Sequence, residues 1–212
     1  MTGFSVDHIA TGHSWTEGSG KSWQQTQTGA ATFQWVQEGT GRVAHGVAVQ
    51  SKKDKQWHVH ITFDNNTHWK LTPSADGNQL QGPSDAFTLK STGAKSTFEK
   101  KDKIKPKLEG ADYTENSGAV WHVTHHKGGS FEMVNQKDQR VCHGTVGKDQ
   151  QKNHFVVYLE FPGNVTMRVE TADLATLNLP NGDVFRRTSE GKKKEKKDKD
   201  EKKEKKEKKD KH

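Results

Sequence analysis

The chain has 212 residues, one cysteine, an apolar fraction of 28% and a formal net charge of +7. Its last 22 residues hold 13 lysines against seven acidic residues, so they carry +6 of this charge and leave about +1 for residues 1–190. This balance excludes a strongly basic nucleic-acid-binding groove on the rest of the chain, and a single cysteine excludes a fold held by internal disulfides.

The N-terminal run "MTGFSVDHIATGHSW" lacks the charged and apolar regions of a signal peptide. No apolar run approaches the roughly 20 residues that a transmembrane helix requires. These features predict a cytoplasmic protein. The lysine-rich run "KKKEKK" near the C-terminus adds nuclear import as an alternative.

An internal repeat begins at residue 14. The stretch "SWTEGSGKSW" (14–23) returns as "DYTENSGAVW" (112–121), and the same offset of 98 residues relates "RVAHG" to "RVCHG". Chance similarity rarely keeps one register for so long, and the period exceeds that of solenoid repeats. The pattern predicts a tandem duplication. We divide the chain into a first copy (1–93), a lysine-rich linker (94–111), a second copy (112–190) and a tail (191–212).

Both copies show the alternation of β-strands. In "WHVHITF" (57–63) and "FVVYLEF" (155–161) every second residue is apolar, and each run is followed by a turn and a second strand. Further strands are predicted over 22–27, 32–37, 42–50 and 86–90, with counterparts in the second copy. Turn signals every 8 to 12 residues predict an all-β fold of two tandem antiparallel β-sandwiches or small barrels. Two domains are favoured, and one shared pseudo-symmetric core is the alternative.

Three histidines, His58, His60 and His68, stand at spacings that a zinc site can use. If Asn65 and Asn66 form a two-residue turn, His68 lies on the strand face opposite to the other two. The second copy has Val156, Tyr158 and Thr166 at the equivalent positions. We therefore predict an exposed polar strand face, with no metal site and no cofactor.

The motif "RVxHG" recurs at residues 42–46 and 140–144. Alternation from Val43 predicts that His45 points into the core, and that the glycine permits a bulge or a close approach. Cys142, which replaces Ala44, is predicted to be a buried small residue. No nucleophile with an adjacent base recurs in both copies, so we do not expect an enzyme.

An aromatic residue opens the polar "TExSG" turn in each copy. Its ring is suited to stacking on a sugar or resting at a lipid headgroup, although a place in the core is the alternative. The candidate ligand-binding residues are Trp15, Glu17, Arg42, Tyr113, Glu115 and Arg140.

The tail has an acid at every third position from Glu195 to Asp210, with mostly paired lysines between. Because it lacks an apolar face, we expect it to be disordered or transiently helical. It either solubilises the protein or binds a polyanion such as RNA, anionic lipid or an acidic filament. The lysines that open it are Lys192, Lys193, Lys194, Lys196 and Lys197.

The run "GGSFEMVNQKDQRVCHGTVG" in the second copy, and its counterpart in the first, resemble the strand, turn and strand around the glycine-rich segment of aegerolysins. The order "WTEGSG … W … F … VAV … W" is also similar to fungal fruit-body lectins and actinoporin-like cytolysins. The resemblance implies a β-sandwich that binds glycans or membrane lipids. No lipid-binding residue carries over, because "VQSKKDKQW" replaces the tryptophan- and proline-rich turn of aegerolysins.

Two functions follow from these observations. The first is a non-enzymatic binding module that recognises a glycan or a lipid headgroup through equivalent loops of the two copies. The alternative is an interaction or scaffold protein that docks on a polyanion through its tail.

Overall fold

The structure, a computed structural model, describes residues 3–51, 54–98 and 108–189. Residues 99–107, half of the linker, and the tail from residue 190 lie outside these ranges, and so do the predictions made for them. Within the ranges there is no α-helix, and only one short 3₁₀ helix, Val6–Ile9, precedes the strands. Accordingly, no helix in the described part of the chain has the length and apolar character needed to cross a bilayer.

Each copy contributes eight strands. The first copy contains β1 (Ser14–Glu17), β2 (Ser22–Gln27), β3 (Thr32–Gln37), β4 (Val43–Gln50), β5 (Trp57–Phe63), β6 (His68–Pro73), β7 (Gln79–Gln81) and β8 (Ala86–Ser91). The second contains β9 (Asp112–Glu115), β10 (Val120–Lys127), β11 (Ser130–Asn135), β12 (Val141–Asp149), β13 (His154–Phe161), β14 (Val165–Thr171), β15 (Thr176–Asn178) and β16 (Val184–Ser189).

The strands follow one another in an up-and-down order. In the first copy every strand pairs antiparallel with the next, and β8 pairs with β1, which closes a barrel. The second copy has the same order and β16 returns to β9, while β14 and β15 are neighbours without a ladder between them. Closure removes the exposed sheet edges at which other chains could add. The prediction of two tandem antiparallel β units is thus confirmed, and each is barrel-like.

The sequence missed the shortest strands, β1 and β7, and their equivalents β9 and β15. They have three or four residues each, too few to show an alternating pattern, and β1 runs into the polar turn that begins at Gly18. These strands nevertheless complete the circuit, because β1 joins β2 to β8 and β7 joins β6 to β8.

The buried apolar residues of the two barrels form separate clusters, and the copies fill them differently. In the first copy the indole nitrogens of Trp15 and Trp35 both donate to Gln25 Oε1, at 3.1 and 2.7 Å, and Gln25 Nε2 donates to backbone carbonyls. The second copy places Tyr113, Met133 and Val123 at these positions. A buried donor requires an acceptor. Gln25 therefore supplies its amide in the first copy, where two buried indoles must donate, and the second copy, which lacks both indoles, has Val123 instead.

The "RVxHG" motif faces the other way from our prediction. Ala44 and Cys142 are fully buried in the cores, so His45 and its equivalent His143 point outward. Burial of the Cys142 thiol raises its pKa, which confirms the prediction of a buried, small apolar residue. The glycine prediction is also confirmed: a Cβ added at Gly46 would overlap the ring of Phe33.

We expect Gly46→Ala to lower the free energy of unfolding by about 1–3 kcal/mol, as overpacked core substitutions do. Urea denaturation followed by tryptophan fluorescence would measure the loss. Phe33→Leu makes room at the same point, so the double variant should lose less than the sum of the two single losses. Strict additivity would contradict the steric explanation.

Candidate functional site

The predicted ligand-binding rings lie inside the barrels. Trp15 is 0% exposed and Tyr113 2%, and the Tyr113 hydroxyl donates to the backbone carbonyl of Leu174 at 2.7 Å. Burial raises the pKa of that hydroxyl to about 12. The prediction that these rings stack on a sugar or headgroup is wrong, since both belong to the cores.

Three of the four predicted charged residues bind side chains of their own copies. Arg42 pairs with Asp64 at 3.0 Å, and Arg140 pairs with Asp138 at 2.7 Å. In the second copy Glu115 Oε2 accepts from the indole of Trp121 at 3.2 Å, a bond that the equivalent Glu17 does not make. These residues form local contacts and do not converge on a common ligand position.

A different surface brings the two copies together. The outward face of β4–β6 packs against the outward face of β12–β14, around an apolar cluster of Val47, Val49, Val156 and Tyr158. His60, on a face predicted to be exposed, is 0% accessible for this reason. The second copy covers the polar strand face of the first.

The contacts between the copies are arranged about an approximate two-fold axis. Val49 of the first copy packs against Gly129 of the second. The equivalents of these two residues are Gly147 and Ala31, and they also pack against each other. The backbones approach closely there: a Cβ added at Gly129 would lie 2.8 Å from Val49 Cγ1. Such reciprocal contacts are typical of the isologous interface of a two-fold dimer.

A hydrogen-bonded chain of side chains crosses this interface. The ring of His60 stacks on Tyr158 and the ring of His68 packs against it at a tilt, each with its centroid 4.9 Å from that of Tyr158. His60 Nδ1 lies 3.4 Å from His68 Nε2, and Thr62 Oγ1 lies 3.3 Å from His68 Nδ1 and 3.2 Å from the Tyr158 hydroxyl. The Tyr158 hydroxyl donates to the backbone carbonyl of His45 at 3.2 Å. One consistent orientation of protons therefore links four side chains from both copies.

Glu160 lies at the end of this chain. Its Oε1 is 3.3 Å from His60 Nε2, and its Oε2 accepts from Lys70 Nζ at 2.8 Å. Burial alone would raise the pKa of Glu160, but the contacts with His60 and Lys70 outweigh burial and hold it at about 2. Glu160 is thus a carboxylate throughout the physiological range, supplied by one copy and held by the other.

The turn between β5 and β6 is one residue longer than we expected. Thr62 pairs with His68, and Phe63 pairs with Thr67 through its N–H. Three residues therefore form the turn, and the last of them, Asn66, has a positive φ of 61°. We had expected a two-residue turn. The extra residue shifts the register by one and places His68 on the same face as His60.

An open cleft of about 760 Å³ lies beside Glu160, where the two copies meet. Its lining combines charged and hydrogen-bonding groups with an apolar rim. Lining residues from the first copy are His68, Lys70 and Pro83, and those from the second are Val141, His143, Glu160, Phe161, Pro162, Gly163, Asn164 and Thr166.

Comparisons with known proteins give no relative from which a function could be transferred. The chain matches no protein-family model, and no curated protein or solved structure is significantly similar to it. The aegerolysin and lectin resemblance stays a prediction.

The stability of this interface should depend on pH. Burial, together with the neighbouring His60, lowers the pKa of His68 from 6.5 to about 4, so the unfolded chain takes up a proton at this residue before the folded protein does. The stability that His68 contributes is complete above about pH 6.5 and is lost as the pH falls towards 4. Glu160 adds a second loss between its unfolded pKa of about 4.3 and its folded value of about 2.

We expect His68→Gln to flatten the fall in melting temperature between pH 7 and pH 4.5, while the fall below pH 4 persists. Differential scanning calorimetry at closely spaced pH values would measure both. An identical slope in the wild-type protein and the variant would contradict the assignment to His68.

Proposed function

We propose that the protein is a non-enzymatic binding protein that holds a sugar unit of a glycan in the cleft between its two copies. The observation that carries the proposal is the composition of the cleft, in which the Lys70–Glu160 ion pair and Asn164 stand beside Phe161 and Val141. A sugar ring has hydroxyl groups on its edge and carbon-bound hydrogens on its faces. It therefore requires both kinds of lining, a few fixed polar groups beside an apolar wall.

The polar groups are accessible and already oriented. The side chains of Lys70 and Glu160 are 48% and 22% exposed, so atoms not used in the ion pair can contact a ligand. Val141, at 37% exposed, is one of two large apolar residues of the described chain that remain open to solvent. An exposed valine beside fixed charges supports the assignment of a ligand surface.

The cleft also gives the duplication a role. Lys70 and Glu160 come from opposite copies, and neither has the same residue at its equivalent position. The first copy supplies three of the lining residues and the second copy eight, so neither copy alone completes the cleft. This differs from our expectation of two equivalent sites on the loops of the two copies.

Binding fits the described chemistry better than catalysis. Glu160, with a pKa of about 2, is too acidic to donate a proton near neutral pH. Its charge is balanced by Lys70 and suits a fixed hydrogen-bond acceptor for hydroxyl groups.

We expect the full-length protein to bind a limited set of oligosaccharides on a glycan array, and isothermal titration calorimetry to give the affinity for the best of them. Lys70→Met and Thr166→Val should each weaken binding, the former by about tenfold or more, since hydrogen bonds to charged groups contribute about 1.5–3 kcal/mol. Glu17→Ala and Arg42→Ala, which alter the predicted loop residues, serve as matched controls and should bind as the wild type does.

Three results would contradict the cleft. If only the loop variants Glu17→Ala and Arg42→Ala lost binding, the ligand would bind at the loops and not in the cleft. Binding to vesicles of defined lipid headgroups but to no free oligosaccharide would favour a lipid ligand. Loss of all binding in a chain that ends at Glu190, together with salt-sensitive binding of the full chain to polyanions, would favour the tail.

A further inference from the structure

We infer that His58, His60 and Glu160 form a binding site for one divalent transition-metal cation of the zinc class. Each residue offers one ligand atom, and these atoms lie within 4.8 Å of one another. Two imidazole nitrogens and a carboxylate oxygen are a ligand set that zinc accepts, with a fourth position left for water. The metal cluster shares Glu160 with the proposed glycan site but does not depend on it, because His58 and His60 do not line the cleft.

The spacing of two of these atoms already suits a shared ion. His60 Nε2 and Glu160 Oε1 are 3.3 Å apart. Two ligands at the usual zinc distances of about 2.0–2.2 Å, at a tetrahedral angle, are separated by about 3.3–3.5 Å. His58 precedes His60 by two residues on β5 and so projects from the same face of the sheet.

The nitrogen that faces Glu160 lacks a partner of its own. His60 is 0% exposed, yet its Nε2 makes no hydrogen bond of good geometry, although Glu160 lies within ion-pair distance. Buried polar atoms are almost always satisfied, and an unsatisfied one costs about 1–3 kcal/mol. An ion between His60 Nε2 and Glu160 Oε1 would satisfy this nitrogen, while Glu160 Oε1 already accepts from Lys70 Nζ at 3.1 Å.

The chain of side chains behind His60 is suited to orient it for a metal. If His60 donates its Nδ1 proton to His68 Nε2, then His68 donates to Thr62, and Thr62 to the hydroxyl of Tyr158. In that tautomer every donor has an acceptor, and His60 Nε2 presents a lone pair to an ion bound between it and Glu160. Metal-bound histidines usually have their second ring nitrogen fixed by such a partner.

The positive charge of Lys70 should lower the affinity for the ion, so its removal should change the affinity in a known direction. Its ammonium lies 2.8 Å from Glu160 Oε2 and occupies the carboxylate in the absence of a metal. A nearby positive charge weakens the binding of a divalent cation, even though the half-exposed lysine can turn towards solvent. Removal of this charge should therefore strengthen metal binding.

Within the described residues, this cluster occurs once. The residues equivalent to His58, His60 and Glu160 are Val156, Tyr158 and Thr62, which cannot form the same cluster on the other side of the two-fold axis. The expected stoichiometry is one ion per chain.

The experiment uses the full-length protein, freed of metals with a chelator. Titration with Co²⁺, followed by its visible absorption, and Zn²⁺ competition against a chromophoric chelator should give one saturable site. His58→Gln should weaken it by at least about 100-fold, more than the loss typical of partners outside the ligand shell. Lys70→Met should strengthen it several-fold. His122→Gln, at a histidine on β10 that pairs with Asp112 and is not one of the three proposed ligands, is the control and should leave it unchanged.

Zn²⁺ should also raise the melting temperature of the wild type and not that of His58→Gln, since an ion that binds only the folded state stabilises it. His58 is half-buried, so we expect His58→Gln to fold. It therefore tests metal binding even if Glu160→Gln loosens the interface. Absence of a 1:1 site, equal affinity in His58→Gln, or weaker binding in Lys70→Met would each overturn the inference. None of these results bears on glycan binding by the wild type, so the two proposals fail separately.

Discussion

The contact on which the rest of the structure depends is the packing of one barrel's outer face on the other's. Tyr158 lies at its centre, fully buried against the rings of His60 and His68, and its hydroxyl reaches Thr62 and the backbone of His45. The packed rings exclude water, which strengthens the hydrogen bonds of the histidine chain. Glu160 stays ionised despite this burial because it contacts His60 and Lys70. Both the cleft and the histidine–glutamate cluster exist because this packing brings β5 and β13 together.

The approximate two-fold axis accounts for the chemistry as well as the shape. His60 faces Glu160 on one side of the axis, and on the other side the equivalent residues, Tyr158 and Thr62, face each other through a hydroxyl–hydroxyl contact of 3.2 Å. The same backbone geometry thus supports a charged pair at one place and a neutral pair at the other. A duplication that keeps its interface can specialise one side while the other provides packing.

Much of the barrel interior could be predicted from the sequence, because alternation identifies the inward face when the other face is polar. Val59, Ile61 and Phe63 are buried as expected. The same rule gave the wrong inward face for the "RVxHG" strand. Val47 and Val49 on that strand are apolar because they pack against the second copy and not because they face the barrel interior. The cluster of His58, His60 and Glu160 was not predicted, for a related reason. We required candidate residues to recur in both copies, whereas the cluster combines histidines of one copy with a carboxylate of the other, and the three-residue turn at Asn66 decides where His68 points. The available signal was Tyr158, an aromatic residue on a face predicted to be polar.

The near absence of side chains at Gly129 and Gly147 has a consequence for how the two barrels are held. Small residues let the backbones approach, but they contribute little apolar area of their own to an interface that also buries three polar rings. As free subunits, two such barrels would associate weakly and would exchange partners. Joined in one chain, each barrel experiences the other at an effective concentration in the millimolar range, which keeps a modest interface closed without further contacts. Covalent tethering thereby frees the interface residues to meet the demands of a ligand, because they no longer have to supply the affinity of a dimer.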